Sequence, residues 1–119
     1  MVRGLVVNRT GMAIRIGTNI NQEENDGNVI QGNYIGTDVS GTIVMDDRLL
    51  GIGVEIFGSD NNVVGGATPG ARNIISGVDR GVHIWYGSHN SVLGNLNPHP
   101  GNRTGGPWRT ASPSCLTNR

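Results

Sequence analysis

The sequence has no lysine, and its single cysteine, Cys115, lies close to the C-terminus. One thiol closes no internal disulfide, so the fold has no covalent staple. Aromatic residues are few: one Phe, two Trp and two Tyr. No apolar run approaches membrane-spanning length, and no membrane span is expected. The opening stretch MVRGLVVNRT holds too short an apolar segment for a signal peptide. Nowhere do apolar residues keep a 3.6-residue period between caps, so almost no helix is expected. The net charge of zero conceals an asymmetry, because all nine acids precede residue 96 and the remaining stretch carries Arg103, Arg109 and Arg119. Neither part is basic enough to mark a nucleic-acid partner. At 119 residues the chain is at most one ordinary domain.

What is present is glycine, 20 residues, together with 14 asparagines and a Val/Ile-rich aliphatic set. There is no Gly-X-Y period, which excludes collagen, and the composition favours strands and turns. Two short patterns alternate along the chain. In the first, Asn is followed by an aliphatic residue two places on and by Gly two places after that. It occurs as NVIQG (28–32), NVVGG (62–66), NIISG (73–77) and NSVLG (90–94). In the second, an aliphatic-x-Ile triplet follows a glycine, as Ile14-Arg15-Ile16, Val54-Glu55-Ile56 and Val82-His83-Ile84. Alternation with period two sends neighbouring side chains to opposite faces. Ile14, Ile16, Val54, Ile56, Val82 and Ile84 are therefore expected in the core, and Arg15, Glu55 and His83 in solvent.

Val54 to Val82 and Val64 to Val92 both span 28 residues (82 − 54, 92 − 64), with three short strands in each span. A hairpin meander has no need of a three-strand period, whereas a solenoid with three faces per coil does. Asn and Gly suit the sharp turns between such strands because they tolerate positive φ. Asn at one position in successive coils can also stack into an amide ladder, the alternative being an ordinary turn residue. The step from Ile14 to Val54 is 12 residues longer than the next, and the excess is expected in 18–27, in 36–51, or in both. The strand to which Ile30 belongs stays open, and Asn33 and Asp38 are expected to open an insertion. The segment GLVVN (4–8) reads as the last strand of an earlier coil. The stretch NVIQGNYIGTD (28–38) is no phosphate loop, since it lacks the Lys-Ser/Thr ending and a following helix.

These segments, NVIQGNYIGTDVSGT, GVEIFGSDNNVVGG, GARNIISG and GVHIWYGSHNSVLGN, resemble the right-handed parallel β-helix repeat proteins of the pectate-lyase-like superfamily. The resemblance covers residues 2–95. It implies an all-β fold of about three coils, cut from a larger bacterial secreted or surface protein, and hence an extracellular location. The superfamily includes polysaccharide lyases, hydrolases, epimerases and adhesins, so the fold alone does not fix an activity. Residues 96–119, with four of the five prolines and no repeat signal, are expected to be a disordered tail, the end of a truncated or frame-disrupted gene, the alternative being a natural C-terminal linker.

The chemistry is sparse. Acid-catalysed glycoside cleavage needs two carboxylates around one bond. The carboxylates on offer are Asp46-Asp47 in a loop, Glu55 on a strand, and Asp38, Asp60 and Asp79 at turns, and Glu55 beside His83 reads as a stacked surface pair rather than an acid–base couple. Asp26 with Glu23 and Glu24 reads as an acidic loop rather than a calcium site. His89, His99 and the sequon Asn8-Arg9-Thr10 have no assigned role. No catalytic residue, metal or cofactor is therefore expected. Glu55, Phe57, His83, Trp85 and Tyr86 are expected to share one outer face, and exposed aromatics beside polar groups suit the apolar faces of sugar rings. The expected function is a structural or binding segment that takes polysaccharide or another surface macromolecule. The alternative is a fragment of a polysaccharide lyase or glycoside hydrolase. Three uncapped coils would also leave open strand edges and favour end-to-end self-association.

Overall fold

The computed structural model describes residues 1–17, 25–45 and 51–97, with the backbone of Thr117–Asn118. The strands are β1 (Val2–Arg3), β2 (Val6–Val7), β3 (Met12–Ile16), β4 (Val29–Gln31), β5 (Tyr34–Ile35), β6 (Ile52–Phe57), β7 (Val63–Gly65), β8 (Ile74–Ile75), β9 (Arg80–Trp85), β10 (Asn90–Leu93) and β11 (Thr117–Asn118). They form three sheets, ordered β1-β4-β7-β10-β11, β2-β5-β8 and β3-β6-β9. The chain visits the sheets in turn, so each of the first nine strands pairs with the third strand before or after it. These pairings are parallel, as is β7 with β10, and among the described strand pairs β10 with β11 is antiparallel. The helical content among the described residues is the 3-10 turn Pro69–Ala71 together with Asn25. The protein is thus all-β, built of parallel sheets.

The register aligns the aliphatic positions of both sequence patterns. Val2, Ile30, Val64 and Val92 form one column, and Val7, Ile35 and Ile75 a second. A third runs Ile14, Val54, Val82 and a fourth Ile16, Ile56, Ile84. Ile30 therefore belongs to the first sheet. The columns meet in one core, where Ile30, Ile35, Val54, Ile56 and Val64 are wholly buried. Ile14 and Ile84 are half-buried and pack against it. The segment 4–8 supplies β2, as the pattern predicts, but β1 is not legible in the sequence because Val2–Arg3 is too short to show a period.

The lengths of successive rounds differ, and the differences locate the excursions. Asn73 and Asn95, which are bonded partners, lie 22 residues apart. Asn62 and Asn90 lie 28 apart. The second path contains the extra segment 67–72 with its 3-10 turn, between the first and second sheets. The shortest round is therefore 22 residues, and the 28-residue spacing in the sequence is that round plus one excursion. Asn28 and Asn62 lie 34 apart because residues 36–51 intervene. Within that stretch Thr37 and Val44 form an antiparallel bridge around a turn closed by Asp38. Residues 18–24, including Glu23 and Glu24, lie outside the described residues, as do Asp46-Asp47 and residues 98–116 of the tail. The described parallel pairing reaches Leu96, which bridges Ile74.

The asparagines are rungs. Where the chain turns into the first sheet, Asn28 donates from Nδ2 to Asn62 Oδ1 at 3.0 Å, and Asn62 donates to Asn90 Oδ1 at 2.8 Å. Where it turns into the second, Asn33 donates to Asn73 Oδ1 at 3.0 Å and Asn73 to Asn95 Oδ1 at 2.8 Å. In each case the backbone N–H of the same residue reaches the same oxygen. Asn works here because its amide is donor and acceptor at once, so one rung satisfies the next. Asn33, Asn62, Asn73 and Asn90 are fully buried. Asn33 thus does not open an insertion; its side chain is held between Leu5 N–H and Asn73. The residues before Asn28, Asn62 and Asn90 are Gly27, Asn61 and His89, all left-handed at φ of 72°, 58° and 58°. That turn fixes the aim of each rung, and it gives His89 an architectural role.

Candidate functional site

The third sheet carries the predicted site on its outer face. The register sets Arg15 beside Glu55, Glu55 beside His83, and Phe57 beside Trp85. Arg15 Nε lies 3.3 Å from Glu55 Oε2, and His83 Nδ1 lies 3.4 Å from Glu55 Oε1. Arg80, three residues before His83, brings Nη1 to within 3.2 Å of His83 Nε2. A guanidinium can only donate, so Nε2 is the acceptor there and Nδ1 carries the proton toward Glu55. The sequence expectation that Glu55 faces solvent needs correction: its side chain is 9 % exposed, against 45 % for Arg15. Glu55 does point outward, but it belongs to the middle strand and is roofed by Arg15 on one side and His83 on the other. His83 is itself only 17 % exposed.

Next along the same face stand the aromatics. Arg15 lies over the Phe57 ring, 5.0 Å from its centroid. Phe57 meets Tyr86 edge-on at 6.0 Å, His83 meets Trp85 edge-on at 5.4 Å, and Trp85 and Tyr86 are 5.9 Å apart and tilted. The five residues singled out from the sequence are thus neighbours. Trp85 and Tyr86 are exposed, whereas Phe57 is half-buried behind them. Tyr86 adopts φ 51°, where the previous round has Gly58 at φ 63°. The Gly58 N–H donates to the carbonyls of both Trp85 and Tyr86, at 2.8 and 2.9 Å, and so pins this turn. A bulky residue in the left-handed region costs roughly 1–2 kcal/mol.

Arg15 and Arg80 complete the row, and sequence reasoning missed both as members of it. Alternation places Arg15 in solvent and says no more, and Arg80 stands outside the aliphatic-x-Ile triplet; its separation of three from His83 is the available signal. The row contains a single carboxylate, while two facing one bond are needed for acid-catalysed glycoside cleavage. Among the described residues no three His, Cys, Asp or Glu come together as metal ligands. No helix of the described residues is long and apolar enough to cross a membrane. Asp38 is separate from this face. Its carboxylate accepts from Ser40 Oγ and from the amides of Ile43 and Thr42, which hold its pKa below the usual carboxylate value.

Set against protein-family models, curated proteins and solved structures, the chain matches none.

Proposed function

We propose that the layered sheets are coils of a right-handed parallel β-helix and that the chain is a binding segment of a secreted or cell-surface protein. Its ligand is carbohydrate, held on the outer face of the third sheet by Trp85 and Tyr86, with Phe57 behind them and Glu55 and His83 alongside. The observation that carries this reading is Tyr86 in a left-handed turn. A turn alone is served better by glycine, as at Gly58, and backbone strain of this kind gathers at binding sites. Here it holds a second exposed ring beside Trp85, and two tilted rings with polar neighbours form a surface suited to sugar.

The test is calorimetric titration with soluble plant and bacterial polysaccharides, comparing the wild-type chain with Trp85→Ala. Saturable binding that weakens at least tenfold, about 1.4 kcal/mol, in the variant is the expected result. Binding of no polysaccharide, or equal binding by Trp85→Ala, would overturn the reading. The part-buried contact between Glu55 and His83 favours a second reading, a fragment of a polysaccharide lyase or glycoside hydrolase. Turnover of polygalacturonate, with or without calcium, that disappears in Glu55→Gln would establish it.

A further inference from the structure

The two described excursions from the shortest round converge on one place. The 3-10 segment lies against the first turn of the second round, so close that a Cβ on Gly32 would fall 2.9 Å from the Gly70 carbonyl oxygen. The 37–44 excursion folds down over the outer face of the second sheet, where a Cβ on Gly41 would fall 2.9 Å from Ile74 Cδ1 and 3.6 Å from Tyr34 Cε2. Between them is a cleft of about 350 Å³, within the range of small-ligand sites. Its floor is Leu5, Val6 and Tyr34, and its walls are Val39 on one side and Pro69 and Arg72 on the other. Leu5, Val6 and Val39 are exposed apolar side chains. Insertions in repeat architectures commonly gather on a binding face.

Arg72 decides the chemistry. Its Nε is buried and has no acceptor in the protein. Among the described residues no carboxylate pairs with it or with Arg3, whose Nη2 donates to the Gly70 carbonyl beside the cleft at 3.3 Å. Asp38, at the base of the opposite excursion, has its carboxylate engaged by Ser40, Thr42 and Ile43. Arg72 is otherwise half-buried and lines the cleft; a buried N–H without a partner is costly, and a carboxylate matches the guanidinium fork better than any neutral acceptor. We propose that this cleft is a second binding site, independent of the aromatic face, for a small organic carboxylate. The oxyanion bonds the guanidinium of Arg72, and the apolar body lies on Leu5, Val6 and Val39.

The test is titration of the full chain with benzoate, benzyl alcohol and inorganic phosphate, following heat and the Arg72 Nε–H resonance. Benzoate is expected to saturate with Kd on the order of 1 mM, as its size allows, and to move that resonance. Benzyl alcohol and phosphate, each lacking one half of the recognition, should bind at least tenfold more weakly. Arg72→Gln removes the buried donor and should weaken benzoate at least tenfold. Val39→Asp, at a position 76 % exposed, should weaken it at least threefold by repulsion. Trp85→Ala should leave it unchanged, which separates this site from the sugar-binding face. No saturation by about 50 mM benzoate, equal affinity for benzyl alcohol or phosphate, or undiminished binding by Arg72→Gln would overturn the proposal.

Discussion

Two kinds of polar column cross the strands of this protein. In the first and second sheets the rungs are asparagines, each bonded to the next through one side-chain oxygen that receives both a backbone and a side-chain N–H. In the third sheet the column is Arg15, Glu55, His83, three residues of different charge. The amide column is self-complementary, so any number of rounds can be added with the same residue. The charged column is not: Glu55 needs a donor on each side, and the residues flanking it are ones no further round could repeat. One column states a rule of assembly, and the other marks a particular place. The exposed aromatics lie beside the second.

Breaking the amide column should have the largest effect. Asn73→Ala strips the acceptor from the Asn33 N–H and from one of its Nδ2 protons, the side-chain donor from the Ile30 carbonyl, and one of two donors from Asn95 Oδ1, which keeps the Asn73 N–H. Buried unpaired groups cost about 1–3 kcal/mol each, so a loss of roughly 3 kcal/mol is expected in denaturant unfolding. A loss below about 1 kcal/mol would mean that the rungs only decorate the turn. The charged column should tolerate more. Glu55→Gln keeps the shape and an acceptor, and Arg15 is half-exposed, so roughly 1 kcal/mol is expected, shrinking at high salt.

Smaller still is the expected stability change for Tyr86→Gly. Relief of about 1 kcal/mol of left-handed strain should offset the lost ring contacts, edge-on with Phe57 and tilted with Trp85, of similar size. Thermal unfolding should shift little while polysaccharide binding falls, whereas a large destabilisation would make Tyr86 a structural residue. The smallest effect is confined to the turn at Asp38. Its carboxyl titrates below the ordinary value of 3.8, so its contribution is complete above that value and is lost as pH falls through the depressed one. Hydrogen exchange at the Thr42 and Ile43 amides should quicken over that acid range, after correction for intrinsic rates, with no change between pH 5 and 8.

Much of the architecture is written in the residues. Period-two alternation puts Val54, Ile56 and Val82 in the core, where they are. Short Val/Ile strands ended by Gly point to parallel layers without helices. The four Asn-x-aliphatic-x-Gly segments, however, merge two different places. Asn28, Asn62 and Asn90 lead into the first sheet, while Asn73 leads into the second with Asn33 and Asn95. They look alike because both places need the same rung and the same turn. The excursion at 67–72 then makes 28 residues look like the period when the shortest round is 22. For the site, the neighbours of Glu55 are legible from the register, but its burial is not. Burial depends on how far Arg15 and His83 reach across the middle strand, which alternation does not encode. Arg72 gives no signal at all, since its surroundings come from two excursions distant in sequence.

The central claim is that the asparagine columns lock the layers together from inside. Hydrogen exchange of the asparagine side-chain amides, resolved by NMR, tests it directly. The Nδ2 protons of Asn33, Asn62 and Asn73, bonded and fully buried, should be protected to nearly the same degree as the backbone amides of β6 and β9, because all are released by the same opening. Exchange of these side chains at the rate of a free asparagine amide, with the strand amides still protected, would contradict the account.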